Sequence, residues 1–94
     1  MPYQKKVVLH CPAGYQLALD QLIEDFLNDG VNIVCVAGKD HAKVEDIIDE
    51  LVVGDGSDPH RFINTTSHDT LAEAVEFAES WTLESPGKVE VVEL

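Results

Sequence analysis

Short apolar runs and amphipathic segments alternate along this chain of 94 residues. Residues 6–11 form a mostly apolar run and residues 31–38 form the strongest one, so the pattern predicts two buried strands. The run at 61–66 is weaker and predicts a third strand. Residues 89–94 mix apolar residues with two glutamates, which is typical of an edge strand whose charges resist pairing with other chains.

Apolar residues recur at steps of three and four after each of the first three runs, which predicts three amphipathic helices. The first is expected to start at Tyr15 and stop near Gly30, and Asp40 is the expected N-cap of the second. Thr70 and Glu73 have the spacing of a capping box, which marks the start of the third helix. The expected core-facing positions are Tyr15, Ala18, Leu19, Leu22, Ile23 and Phe26, then Val44, Ile47, Ile48 and Leu51, then Leu71, Ala74, Val75 and Ala78, with Val52 and Trp81 as further candidates.

The resulting order β-α-β-α-β-α-β predicts one α/β domain over residues 1–94, with three layers and a mainly parallel four-stranded sheet. The preferred strand order is 2-1-3-4, a shortened flavodoxin-like order with the acidic last strand at an edge. This order creates a switch point between strands one and three, where ligands of open α/β sheets tend to bind. It brings segments 11–14 and 66–69 face to face, with 38–41 flanking them.

Charge restricts the classes of partner. The chain has 18 acidic residues against 6 lysines and arginines, for a net charge of -12. This balance argues against binding to nucleic acid and to anionic membrane surfaces, both of which require clustered basic residues. Residues 13–30 and 69–84 contain acids and no lysine or arginine. Such faces either keep the domain solvated, which is the preferred interpretation, or dock a basic partner.

The number of cysteines indicates the cellular location of the protein, and the size of its sheet is relevant to its oligomeric state. The two cysteines, Cys11 and Cys35, are too few for a disulfide framework and favour a reduced, cytoplasmic setting. No apolar run approaches the length of a membrane span. A small sheet leaves two open edges and a limited core, so a homo-oligomer is also compatible with the pattern.

Cys11 is the candidate nucleophile. It ends a strand just before a predicted helix, where the helix dipole and backbone N–H groups lower a thiol pKa. His68, across the predicted crevice, is the candidate base, and Asp69 would orient its imidazole. The preferred alternative is that Cys11 is an ordinary strand-end residue and His68 a solvated one. The residues expected to contact a ligand in the same crevice are Pro12, Ala13, Gly14, Lys39, His41, Thr66 and Ser67.

The fragment Cys11-Pro12-Ala13-Gly14 resembles the Cys-x-Ala-Gly loop of the B components of sugar phosphotransferase systems. The resemblance covers this fragment and the general architecture, and it implies a small domain that carries a phosphate on Cys11. That family follows the glycine with hydroxyl residues that cradle phosphate, whereas this chain has residues 15–17, Tyr-Gln-Leu. A cysteine phosphatase is excluded, because Leu17 occupies the position of its phosphate-binding arginine.

No cofactor or metal is predicted. Glycine-rich nucleotide-binding loops are absent from the sequence, and the histidines His10, His41, His60 and His68 lack the local spacing of metal ligands. A mixed site in which Asp40 and Asp69 join His41 and His68 is conceivable across the sheet end, but separate surface histidines are preferred.

Two function classes therefore remain open. The leading one is a non-enzymatic module that binds a protein partner or a small ligand at the carboxyl ends of its strands. The alternative is a cysteine-centred group-transfer protein that acts through Cys11. Thiol reactivity separates them, because a transfer protein requires an acidic Cys11 thiol and a binding module does not.

Overall fold

The computed structural model describes residues 3–58, 61–81 and 88–94. His60 and residues 82–84 of the second acidic stretch lie outside these ranges. The described elements are β1 (Lys6–Cys11), α1 (Ala18–Asp29), β2 (Ile33–Gly38), α2 (His41–Val53), β3 (Asn64–His68), α3 (Leu71–Ser80) and β4 (Val89–Glu93). Every described strand pairs in parallel in one four-stranded sheet. The predicted α/β fold, a single small domain with a parallel sheet and three helices, is thus confirmed.

The strand order is β3-β2-β1-β4, so the preferred order 2-1-3-4 is wrong. The polarity of β3 explains the difference. Its sequence is Asn-Thr-Thr-Ser-His and all five residues are only half-buried. A polar strand is stable at an edge, whereas β1 and β2 carry apolar residues on both faces and occupy the centre. The acidic β4 lies at the other edge, as expected.

The helices divide unequally between the faces of the sheet. Buried residues of α1 and α2 pack against one face, where the core includes Val7, Leu9, Val34 and Val36. Among the described helices, only α3 packs against the other face, where Ala74 and Ala78 meet a smaller cluster that includes Val8, Ile33, Cys35 and Ala37. Because one narrow helix covers a whole sheet face, grooves remain on both of its sides.

The helix starts only partly follow the predictions. The capping box is confirmed, since Thr70 Oγ1 accepts a hydrogen bond from the Glu73 amide at 3.1 Å. Asp40 holds the N-cap position of α2, but with a φ of 53° and no side-chain capping bond. α1 begins three residues after Tyr15, so Tyr15 is exposed instead of core-facing, and Leu17 is 79% exposed.

None of the helices in the described ranges is long and apolar enough to cross a membrane.

Candidate functional site

The carboxyl edge of the sheet is organised around the backbone of Cys11. Its carbonyl oxygen accepts hydrogen bonds from the amides of Gly14 at 3.1 Å and Lys39 at 3.0 Å, which ties the β1–α1 loop to the β2–α2 loop. This close approach of the two loop backbones requires a glycine at the end of β2. Gly38 has a φ of 121°, and a Cβ there would collide with the Cys11 carbonyl group.

The Cys11 side chain does not face a crevice. It is fully buried in the core beneath α1 and α2. Burial and the nearby negative charge of Glu93 raise the pKa of the Cys11 thiol to about 11. The expectation of a lowered pKa is therefore wrong, because α1 begins at Ala18 and its dipole acts only over about the first turn.

His68 lies on the opposite face of the sheet. It pairs with Ala37 of β2, its ring contacts Phe77 of α3 at a centroid distance of 5.1 Å, and Thr66 Oγ1 lies 2.8 Å from its Nε2. With β2 between β1 and β3, the structure does not bring Cys11 and His68 together. The expected proximity of Cys11 and His68 depended on the strand order 2-1-3-4, in which β1 and β3 are neighbours.

Asp69 is engaged by a different histidine. Its Oδ1 lies 3.0 Å from Nε2 of His41, so this pair links the start of α2 to the turn before α3. The expected orienting bond to His68 is replaced by the contact with Thr66. Among the described residues, no three histidine, cysteine, aspartate or glutamate side chains are placed to hold a metal ion.

The other predicted ligand contacts fall into two separate groups. Pro12 and Ala13 are exposed, whereas Gly14 is buried, and a Cβ at Gly14 would lie 3.5 Å from Asp40 Oδ2 and 3.6 Å from the Lys39 carbonyl oxygen. Thr66 and Ser67 are half-buried on β3. Because β2 lies between β1 and β3, the segment 38–41 separates 11–14 from 66–69 instead of flanking a crevice that the two would form.

The observed strand order moves the switch point to the boundary of β1 and β4. There the His10 Nδ1 and Glu93 Oε2 atoms are 2.9 Å apart, and the Leu94 amide donates to the His10 carbonyl at 2.9 Å. These contacts occupy the ends of the two strands and hold β4 against β1. The His10–Glu93 pair therefore has a structural role, in that it links two neighbouring strands.

A groove runs from the carboxyl end of β3 along α3, and we name it the β3–α3 groove. Its volume is about 330 Å³. Phe77 is half-buried and contacts both the His68 ring and Trp81, which gives the groove an aromatic wall. The residues that line it are His68, Glu73, Glu76, Phe77 and Ser80.

The rim of the β3–α3 groove is acidic. Glu73, Glu76 and Ser80 are exposed, and within the described part of the chain neither glutamate lies in an ion pair. An aromatic wall beside free carboxylates can hold an apolar group and an adjacent cation. The groove therefore offers a surface that could bind such a pair of groups.

On its other side, α3 borders a second groove against β4, of about 470 Å³. It is lined by Val75, Glu79, Lys88, Val89 and Val91. Lys88 and Glu79 both line this groove, so its local charge is more nearly balanced than that of the β3–α3 groove.

Sequence reasoning found His68 but missed the rest of the β3–α3 groove. The usable signals were the stretch after Asp69, which has acids and no basic residue, and a large aromatic at Phe77 that falls off the predicted apolar stripe of α3. A bulky side chain off the stripe cannot enter the core beneath the helix and packs at its flank instead.

One family model matches residues 2–92, which is nearly the whole chain. No curated protein and no solved structure shows a significant match. The chain therefore belongs to the family described as Domain of unknown function (DUF7684).

Proposed function

We propose that this protein is a non-catalytic, cytoplasmic binding module that holds a protein partner in the β3–α3 groove. The observation that carries the proposal is the groove itself, in which Phe77 and His68 form an aromatic wall at the carboxyl end of a strand. A protein partner fits better than a small ligand. Small-molecule sites bury most of their ligand, whereas Glu73, Glu76 and Ser80 are exposed along this groove.

The state of the thiols argues against group transfer through Cys11. Both cysteine side chains are fully buried, and burial raises the pKa of each thiol. At Cys35, a hydrogen bond with Thr66 and the charge of Lys6 partly offset this effect. A nucleophile needs an accessible thiolate, so the observations favour binding over chemistry.

Net charge favours a different chain as the partner. A second copy would bring another net charge of -12, which opposes self-association at low ionic strength. Nucleic acid is disfavoured for the same reason. The proposed partner is therefore another protein.

The test uses a displayed library of short peptides, selected on the wild-type protein. Each selected peptide is then measured against Ser80→Tyr, which fills the groove, and against Ala72→Tyr. Ala72 is also exposed on α3 but lines neither groove. Both variants add the same side chain to the same helix, and Ser80→Tyr also removes the hydrogen bond that Ser80 Oγ donates to the Phe77 carbonyl oxygen, so the melting temperatures of both are compared first.

We expect peptides whose binding is lost in Ser80→Tyr and kept in Ala72→Tyr. The proposal fails if selection gives no binders, or if the binders tolerate Ser80→Tyr as well as they tolerate Ala72→Tyr.

A further inference from the structure

Three glutamates form a line along the solvent side of α3. Glu73, Glu76 and Glu79 follow one another at three-residue steps, so each carboxylate neighbours the next on the helix surface. Like charges that neighbour one another on a helix surface destabilise the helix. Only Glu73 lies in the first turn, where the helix dipole favours an acid, and the last turn of α3 has no basic residue.

The cations of the chain do not compensate Glu73 and Glu76. Of the six lysines and arginines, Lys6 is buried and Arg61 pairs with Glu24. Lys88 lines the other groove. Lys5, Lys39 and Lys43 are exposed but do not line the β3–α3 groove. The acidic rim of the groove is therefore left without a local countercharge among the described residues.

From this charge pattern we infer that the partner held in the β3–α3 groove is a basic segment, in which lysine or arginine side chains flank an apolar one. The inference rests on the proposed function and names the class of partner. The apolar side chain packs against Phe77, and the flanking cations pair with Glu73 and Glu76. An apolar anchor surrounded by charge pairs is a common arrangement at protein interfaces. The net charge of the domain would also speed the approach of such a segment.

The experiment measures fluorescence anisotropy of two labelled peptides. One has lysines on both sides of a central leucine and phenylalanine, and the other replaces every lysine with glutamine. Each is titrated with the wild type, with Glu73→Gln/Glu76→Gln, and with the control Asp46→Asn/Glu50→Gln. The control residues are exposed on α2, across the sheet, and their replacement changes the net charge equally. Ser80→Tyr is measured beside them.

We expect the lysine peptide to bind the wild type and the control alike, and to bind Glu73→Gln/Glu76→Gln about three- to tenfold more weakly. Ser80→Tyr should also lose binding. Equal weakening in both charge variants, or no binding of the lysine peptide to the wild type, overturns the inference. If the glutamine peptide binds as well as the lysine peptide and Ser80→Tyr abolishes both, the inference fails while the proposed groove function stands. Binding that survives Ser80→Tyr contradicts the groove function itself.

Discussion

Arg61 binds Glu24 through both ends of its guanidinium, with Nη1 donating to Oε1 at 3.0 Å and Nη2 donating to Oε2 at 2.7 Å. The same side chain donates to the carbonyl oxygens of Val52 at 2.8 Å and Leu51 at 2.7 Å, at the end of α2. The only arginine of the chain thus ties α1 to the C-terminus of α2, where a cation also complements the helix dipole.

This pair predicts a pH-dependent stability. The Arg61 guanidinium lowers the pKa of the Glu24 carboxyl, so the pair stabilises the fold above the unfolded value of about 4.3 and loses its effect as pH falls through the lower folded value. We expect Glu24→Gln to reduce the free energy of unfolding modestly at pH 7, since the pair is partly exposed, and to reduce it less near pH 3. Urea unfolding at both pH values checks this.

Asp46→Asn is the matched control for Glu24→Gln, because Asp46 is exposed on α2 and lies in no ion pair among the described residues. An equal loss of stability in Asp46→Asn, or a loss in Glu24→Gln that is undiminished at pH 3, would show that the Arg61 pair is not its cause.

Truncation of two adjacent lysines is expected to lower the free energy of unfolding by different amounts. Lys6 is 1% exposed and its Nζ donates to the carbonyl oxygen of Trp81 at 3.3 Å, just beyond α3, whereas Lys5 is exposed. We expect Lys6→Ala to cost about 1–3 kcal/mol, because it removes a buried stem and a bond at the end of a helix. Lys5→Ala should cost less than about 0.5 kcal/mol. Urea denaturation measures both, and equal costs would contradict the buried position of Lys6.

The two thiols should be protected in the native protein. We expect Cys11 and Cys35 to react slowly with iodoacetamide at pH 8 and quickly after unfolding in urea, since both side chains are fully buried. The unfolded Cys11 thiol ionises from about pH 8.5, whereas the folded one resists ionisation up to about 11, so stability should decline over that interval. Fast alkylation of native Cys11 would revive the group-transfer alternative.

The fold was predictable because local pattern and global architecture agree. The alternation of apolar runs with amphipathic segments was enough to predict a parallel α/β domain, and the Thr70–Glu73 spacing marked the start of α3. The preferred strand order was wrong, because the crossover rules fix the handedness of a connection and leave its direction open. The polarity of residues 64–68 holds the missing information, since such a strand belongs at an edge.

The site was less predictable for a geometric reason. The loops that follow parallel strands all meet at one edge of the sheet, so His68 and the Cys11 loop were correctly expected there. Which face each side chain takes depends on register, and one residue of shift reverses it. His68 pairs with Ala37 and faces α3, whereas Cys11 faces α1 and α2. A pairing of these two residues therefore could not be judged from spacing alone.

The central claim is that partners bind in the β3–α3 groove, and an NMR titration tests it most directly. The ¹⁵N-labelled protein is titrated with the lysine peptide while backbone amide shifts are followed. We predict that the largest changes fall on the lining residues His68, Glu73, Glu76, Phe77 and Ser80. Changes centred instead on the exposed loop residues Tyr15 and Leu17, with the groove unperturbed, would contradict the account.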